Sequence, residues 1–120
     1  NGFFEWAVVA EARKKQPYLL RLPEGALFGL AAIWEPSPAG RGTCAILTTD
    51  PTDDLRAIHD RMPVIIPPSA YGAWLDPTRG RGALSPLLAP FVERPLEVVA
   101  VGTAVNDAGF DGPICIRPAS

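Results

Sequence analysis

Phe3-Phe4-Glu5-Trp6-Ala7-Val8-Val9 is the stretch from which the fold is predicted. Aromatic and β-branched side chains dominate it, and such residues favour the pleated, half-buried surface of a β-strand. Further runs that favour strands lie at residues 18–22, 27–34, 44–49, 64–66, 96–101 and 114–117. Pro23-Glu24-Gly25, between the second and third runs, predicts a hairpin-type turn.

Proline and glycine divide the rest of the chain into short pieces. There are 14 prolines and 11 glycines in 120 residues, and a proline inside a helix removes a hydrogen bond and clashes with the preceding turn. Short helices are predicted at residues 54–59, 68–75 and 84–91, the first of them after the capping stretch Asp50-Pro51-Thr52-Asp53. We predict an α+β fold with a coiled, mostly antiparallel, barrel-like β-sheet and a few short helices.

Charge and composition exclude several classes of function. Lys and Arg total 11 and Asp and Glu total 13, so the net charge of −2 does not fit a protein that binds duplex DNA without sequence preference. Two cysteines and one histidine are too few for a disulfide framework, a four-thiolate zinc site or a multi-histidine metal centre. Because no long apolar run and no secretory leader is visible, we expect one soluble, intracellular domain without a membrane span. We also expect no metal and no organic cofactor.

The start of the chain allows two interpretations. Asn1 is followed at once by Phe3, Phe4 and Trp6, whereas natural termini tend to be polar and loosely held. Either an N-terminal portion of the domain precedes these residues, or a disordered tail has been trimmed.

Glu5 is the first candidate for chemistry. It is a lone carboxylate among aromatic residues on a predicted strand. Burial there would favour its neutral form and suit it to general acid or base catalysis. Alternation along the strand also allows Glu5 to point to water, with Phe4 and Trp6 on one side and Phe3 on the other.

His59 is the second candidate, within Ile58-His59-Asp60-Arg61-Met62-Pro63. Histidine is the side chain most easily poised for proton transfer near neutral pH. The alternative is a histidine that caps the end of the predicted helix through its last carbonyls.

Thr48-Thr49 and the two cysteines complete the candidates. Hydroxyl groups at the end of a strand can bind a phosphate, although strand propensity and helix capping explain the same residues. Cys44 and Cys115 flank apolar residues and are interpreted as buried, inert thiols.

Taken together, these motifs resemble the SRAP (SOS response-associated peptidase) family, and the resemblance spans nearly the whole chain. It depends on the combination of an aromatic Glu-Trp block with an intact His-Asp-Arg-Met-Pro string. The matching stretches are Gly2-Phe3-Phe4-Glu5-Trp6, Lys15-Gln16-Pro17-Tyr18, residues 28–34, residues 45–49, residues 58–63, Trp74-Leu75 and Val105-Asn106.

The resemblance implies a DNA-repair protein that links covalently to abasic sites in single-stranded DNA. In the family, the ring-opened sugar aldehyde forms a Schiff base with the α-amine of an N-terminal cysteine, and the thiol closes a thiazolidine ring. Glu5 would shuttle protons, and His59 would hydrogen-bond the sugar oxygen and assist ring opening or reversal. Thr48 would lie beside the DNA backbone, and Trp6 would offer a surface for an unstacked base. The expected location is the cytoplasm, at the nucleoid.

One departure from the family pattern is decisive. The family's cysteine lies upstream of the Glu-Trp block, and neither Cys44 nor Cys115 can replace it because each α-nitrogen is in a peptide bond. We therefore predict that residues 1–120 form a single SRAP-like domain without its N-terminal portion. The alternative is a non-catalytic remnant or module that binds single-stranded DNA or a protein partner without chemistry.

Overall fold

The computed structural model describes residues 1–9 and 14–119. Within these residues the regular structure consists of short strands, two short α-helices and several 3₁₀ turns. The strands are β1 (Gly2–Val9), β2 (Lys14–Arg21), β3 (Gly29–Leu30), β4 (Ala32–Pro36), β5 (Gly42–Ile46), β6 (Thr48–Thr49), β7 (Met62–Pro63), β8 (Ile65–Ile66) and β9 (Glu97–Ala100). The α-helices are α1 (Tyr71–Leu75) and α2 (Arg81–Leu84), and the 3₁₀ turns are Pro23–Gly25, Pro68–Ala70, Ser85–Leu88, Thr103–Asn106 and Pro113–Ile116.

The predicted α+β class is confirmed, since the described strands pair antiparallel and the helices are short. The barrel-like arrangement is not supported. The described strands form one three-stranded and three two-stranded sheets, and none of these closes on itself. The described residues form two compact units, one of residues 1–27, 57–59 and 94–120 and the other of residues 28–56 and 60–93.

The first unit is built on the sheet β1-β2-β9, with β2 in the centre. The register of β1 and β2 runs from Gly2 opposite Arg21 to Val9 opposite Lys14. Leu19 and Leu20 on β2 are buried, and burial of such side chains contributes about 1.5–3 kcal/mol each. β1 is an edge strand, and the Glu-Trp block lies on it.

The second unit contains the three two-stranded sheets β3-β8, β4-β5 and β6-β7. They meet at Ala31, Leu47 and Val64, which join the three sheets through a closed ring of backbone hydrogen bonds. Ala31 N donates to Val64 O (2.8 Å), Val64 N to Leu47 O (2.9 Å), and Leu47 N to Ala31 O (2.9 Å). The side chains of Ala31 and Val64 are buried with Ile66 in the core of this unit.

This junction explains why the predicted strands are interrupted. The runs at residues 27–34 and 44–49 contain Ala31 and Leu47, and the partner strand changes at these residues. The run at residues 64–66 begins at the third junction residue, Val64, and contains only β8. A sequence pattern shows a continuous apolar run, but the pairing divides it in two.

Three local predictions were wrong. Residues 53–58 form successive turns instead of a helix: Leu55 N and Arg56 N both donate to Thr52 O (3.0 and 3.1 Å), so one carbonyl takes two donors at the first turn. Residues 114–117 do not form a strand: Pro113 begins a 3₁₀ turn, which suits its fixed φ. Pro23–Gly25 is a tight turn with positive φ at Glu24 (59°) and Gly25 (67°), but its flanking strands do not form a hairpin. β2 pairs with β1 and β9, whereas β3 pairs with β8.

Among the described residues, every helix is too short or too polar to cross a membrane.

Candidate functional site

The first unit contains a cavity of about 890 Å³ beside strand β1. This volume lies within the range of sites that hold small molecules or single nucleotides. The side chains that bear on its chemistry come from β1, from β2, from residue 59 and from the 3₁₀ turn Thr103–Asn106. They are Glu5, Trp6, Lys15, Gln16, His59 and Asn106.

Glu5 and His59 face each other in this cavity. Glu5 Oε2 lies 3.9 Å from His59 Nε2, and the side chains are 22% and 43% exposed. The separation is too long for a direct hydrogen bond. It nevertheless allows one ligand oxygen to lie at about 2.6–3.2 Å from both groups, the distance at which proton transfer occurs.

The burial of Glu5 lies between the two alternatives that its sequence left open. The carboxylate is mostly covered, yet it lines the cavity and reaches solvent. As alternation predicted, Phe4 and Trp6 share one face of β1, and their ring centroids are 6.4 Å apart at 49°. Glu5 is thus mostly covered, yet a ligand in the cavity can reach its carboxylate.

Trp6 is held at the cavity wall by a residue from the distant 3₁₀ turn. The indole Nε1 of Trp6 donates a hydrogen bond of 2.7 Å to Asn106 Oδ1. Asn106 belongs to a sequence motif, but the motif does not predict this contact, because the two residues are 100 positions apart.

Gln16 lines the cavity, and its side chain compensates for the missing N–H of its neighbour Pro17. Val101 N donates to Pro17 O at 3.0 Å, but Pro17 has no N–H to offer the Val101 carbonyl. The Gln16 side chain supplies that donor, since its Nε2 lies 2.8 Å from Val101 O. Lys15, the residue before it, is exposed and brings a positive charge to the cavity.

Thr48 belongs to the second unit, on strand β6 opposite Pro63. It is exposed there, and its hydroxyl oxygen accepts hydrogen bonds from Arg61 Nη2 (3.3 Å) and Nε (3.4 Å). Arg61 also donates to the Thr48 carbonyl (2.7 Å) and to Asp50 Oδ1 (2.9 Å). The Arg61 of the His-Asp-Arg-Met-Pro string therefore orders the end of β6.

The cysteines do not behave alike. Cys115 is buried, as predicted, but Cys44 is exposed on β5, so its predicted burial was wrong. Its partner position on β4 is Trp34, which is itself 67% exposed. The described residues hold no group of three or more His, Cys, Asp or Glu side chains that could bind a metal ion.

Comparisons with known proteins identify the family. The family model "SOS response associated peptidase (SRAP)" matches residues 1–108. Abasic site processing protein YoaM of Bacillus subtilis is 33% identical over 111 residues, which cover 88% of this chain and 48% of that protein. YoqW of the same organism, also named an abasic site processing protein, is 32% identical over 98% of this chain and 54% of its own length. HMCES of Gallus gallus carries the same name and is 30% identical over 98% of this chain and 41% of its own length.

Two solved structures share the fold. A protein from Bacteroides thetaiotaomicron superposes with a TM-score of 0.83 at 24% identity, over 99% of this chain and 54% of that one. A protein from Bordetella bronchiseptica superposes with a TM-score of 0.68 at 28% identity, over 84% of this chain and 51% of that one. The chain spans about half the length of the YoaM and YoqW proteins that it matches. With a family model that matches residues 1–108, the chain belongs to the SOS response associated peptidase (SRAP) family.

Proposed function

We propose that this chain carries the acid–base half of a site that processes abasic DNA. The observation that supports it is the Glu5–His59 pair, whose side-chain atoms lie 3.9 Å apart in one cavity. Relatives in Bacillus subtilis, Gallus gallus and Saccharomyces cerevisiae, among others, are named abasic site processing proteins. In this proposal the target is an abasic site in single-stranded DNA, and the protein acts in DNA repair, in the cytoplasm at the nucleoid.

The proposed reaction forms a covalent link to the lesion. The sugar opens to its C1′ aldehyde, and the α-amine of an N-terminal cysteine adds to that carbon. Loss of one water gives the imine, and the cysteine sulfur then adds to the imine carbon while the nitrogen takes up a proton. The product is a thiazolidine, formed from the aldehyde and the aminothiol with release of one water. An amine and a thiol on one residue act at high effective concentration.

The cysteine of this reaction lies outside residues 1–120. Cys44 and Cys115 both have their α-nitrogens in peptide bonds and cannot form the ring. The proposal therefore includes an N-terminal portion of the SRAP domain that completes the site with its cysteine.

Glu5 and His59 divide the proton transfers. His59 hydrogen-bonds the sugar ring oxygen and supports ring opening and its reversal. Glu5 accepts a proton from the attacking amine and returns one to the departing hydroxyl group. Both roles need contact with ligand oxygen or nitrogen atoms, and the open separation of the two side chains leaves room for it.

Trp6 and Thr48 contact the DNA in this proposal. Trp6 lines the cavity and offers an aromatic face on which a base beside the lesion can stack. The Thr48 oxygen accepts hydrogen bonds from Arg61, so its own O–H can donate to a phosphate oxygen.

The test uses the natural polypeptide that contains this chain and a single-stranded oligonucleotide with one abasic site. We expect a band that survives denaturation and a mass equal to protein plus DNA minus one water. Intact DNA, and abasic DNA whose aldehyde has been capped with methoxyamine, serve as controls and form no adduct.

Absence of the adduct would overturn the covalent mechanism. Fluorescence anisotropy with the same oligonucleotide then distinguishes the alternative, a module that binds single strands without chemistry, from a protein with no affinity for DNA.

A further inference from the structure

The hydrogen bond between Trp6 and Asn106 links two parts of the cavity wall that are 100 residues apart in sequence. The indole N–H is a donor only, so the Asn106 oxygen is required as its acceptor. At 2.7 Å the bond lies at the short end of the usual N–H···O range. The orientation of the Asn106 amide is therefore determined by its partner.

This bond is exposed to solvent. Because water competes for both groups, it adds little to the stability of the fold. The hydrogen bond between Trp6 and Asn106 instead restricts the side-chain dihedral angles of Trp6. The Phe4 ring contacts the indole from the same face of β1, and Asn106 holds the indole N–H edge, so the ring is fixed from two sides.

We propose that Asn106 is a positioning residue that fixes the Trp6 indole for stacking on the base next to an abasic site. This inference rests on the proposed function, in which the cavity holds the lesion. A preset indole would not lose rotational freedom when the base stacks, so the DNA would bind more tightly. Asn106 itself acts through Trp6 and takes no part in proton transfer.

The first experiment reads the indole directly in the natural polypeptide labelled with ¹⁵N. Trp6→Phe removes one indole N–H resonance and thereby assigns it among those of the tryptophans. Asn106→Leu should shift this resonance upfield and speed its exchange with water, since the acceptor is lost. Asn106→Asp keeps an acceptor of the same shape and should restore the resonance. Asn1→Leu makes the same change at an exposed position away from the cavity and should leave the resonance in place.

The second experiment measures adduct formation over a range of abasic DNA concentrations. Asn106→Leu should lower the rate at subsaturating DNA by about threefold to tenfold, the effect of one hydrogen bond, and leave the saturating rate unchanged. In a Trp6→Phe background the same substitution should have almost no further effect, because the bond is already absent.

The outcomes separate the two proposals. An unchanged indole resonance in Asn106→Leu, or an equal loss of rate with and without Trp6, overturns the positioning role of Asn106. Failure of the unmodified protein to form any adduct overturns the proposed function instead. If Asn106→Leu does not fold, two other variants test the proposal. Loss of the Trp6 indole resonance in Asn106→Asp contradicts it. So does a Trp6→Phe variant whose adduct rate depends on DNA concentration as in the unmodified protein.

Discussion

Among the described residues of the first unit, the pairs Arg21–Glu97 and Glu5–His59 differ in the distance between their charged atoms and in whether they line a cavity. Arg21 and Glu97 are directly opposite each other on β2 and β9, with Arg21 Nε 2.9 Å from Glu97 Oε2. Glu5 and His59 approach only to 3.9 Å, and both side chains line a cavity. The first pair forms a direct charge-assisted hydrogen bond, whereas the second is too far apart for one and lines a cavity that a ligand can enter.

The distance within each pair decides whether its side chains can also contact a ligand. A charge-assisted hydrogen bond at 2.9 Å uses the groups that form it. A pair with a longer separation at a cavity can accommodate a ligand atom between its two side chains. Before the substrate binds, the hydrogen bonds between catalytic groups are often long in this way.

Glu5→Gln should slow adduct formation with abasic single-stranded DNA by about a hundredfold or more, as expected for loss of a general acid–base group. The fold should be kept, because the amide has the same shape. The measurement is the single-turnover rate, together with a urea denaturation curve.

Glu97→Gln is the matched control for that experiment, since it makes the same change on the same sheet outside the cavity. It should leave the rate unchanged. Equal rates for both variants would contradict an acid–base role for Glu5. A loss of stability in Glu5→Gln that accounts for its lost activity would assign Glu5 a packing role.

His59→Gln should slow adduct formation by about tenfold to a hundredfold, through loss of a hydrogen bond to the sugar oxygen. An oligonucleotide that carries an acyclic aldehyde needs no ring opening, so His59→Gln should react with it at the parent rate while Glu5→Gln remains slow. A similar defect of His59→Gln on both substrates would contradict the division of roles.

Lys15→Gln should weaken binding of single-stranded DNA in a salt-dependent way. If Lys15 contacts one phosphate, the slope of log K against log salt should fall by about 0.7. The measurement is anisotropy at four salt concentrations with an oligonucleotide that has no lesion. An unchanged slope would remove Lys15 from the DNA interface.

Arg21→Ala should cost about 0.2–1 kcal/mol of stability, because both side chains of its pair are 41% exposed and screened by solvent. Adduct formation should be unaffected. A double-mutant cycle with Glu97→Gln, followed by urea denaturation, measures the interaction free energy between Arg21 and Glu97. A large effect of Arg21→Ala on the adduct rate would contradict a purely structural role for this pair.

Asp76, in the second unit, provides the smallest effect. The Thr78 hydroxyl, and then the Thr78 backbone amide, hold the pKa of this carboxyl below its ordinary value of 3.8. A depressed folded pKa stabilises the protein above the unfolded pKa, and this contribution is lost as the pH falls through the folded pKa. Asp76→Asn should therefore flatten the pH dependence of the urea midpoint below about pH 4, and an unaltered pH dependence would contradict it.

Some features of the molecule could be predicted from the residues alone. The aromatic and β-branched composition of residues 3–9 predicts a strand, and β1 is that strand. The side-chain alternation that places Phe4 and Trp6 together follows from the period of two. The aromatic Glu-Trp block and the His-Asp-Arg-Met-Pro string were sufficient to identify the family, because both are local in sequence.

Other features depended on residues that are distant in the chain. The apolar runs around Ala31 and Leu47 are interrupted because each run pairs with two different strands, and the hydropathy pattern does not indicate a change of partner. The exposure of Cys44 likewise depends on what covers its sheet, since its apolar neighbours alone suggested burial.

Local sequence was enough to predict most of the strands, the scarcity of helix and the family, since propensity and motifs act over a few neighbouring residues. The tertiary structure decided that Glu5 and His59 face each other in one cavity and that Asn106 holds Trp6. The physical reason is that each contact joins segments tens of residues apart, and their distance is fixed only when the β1-β2-β9 sheet and the surrounding turns have packed.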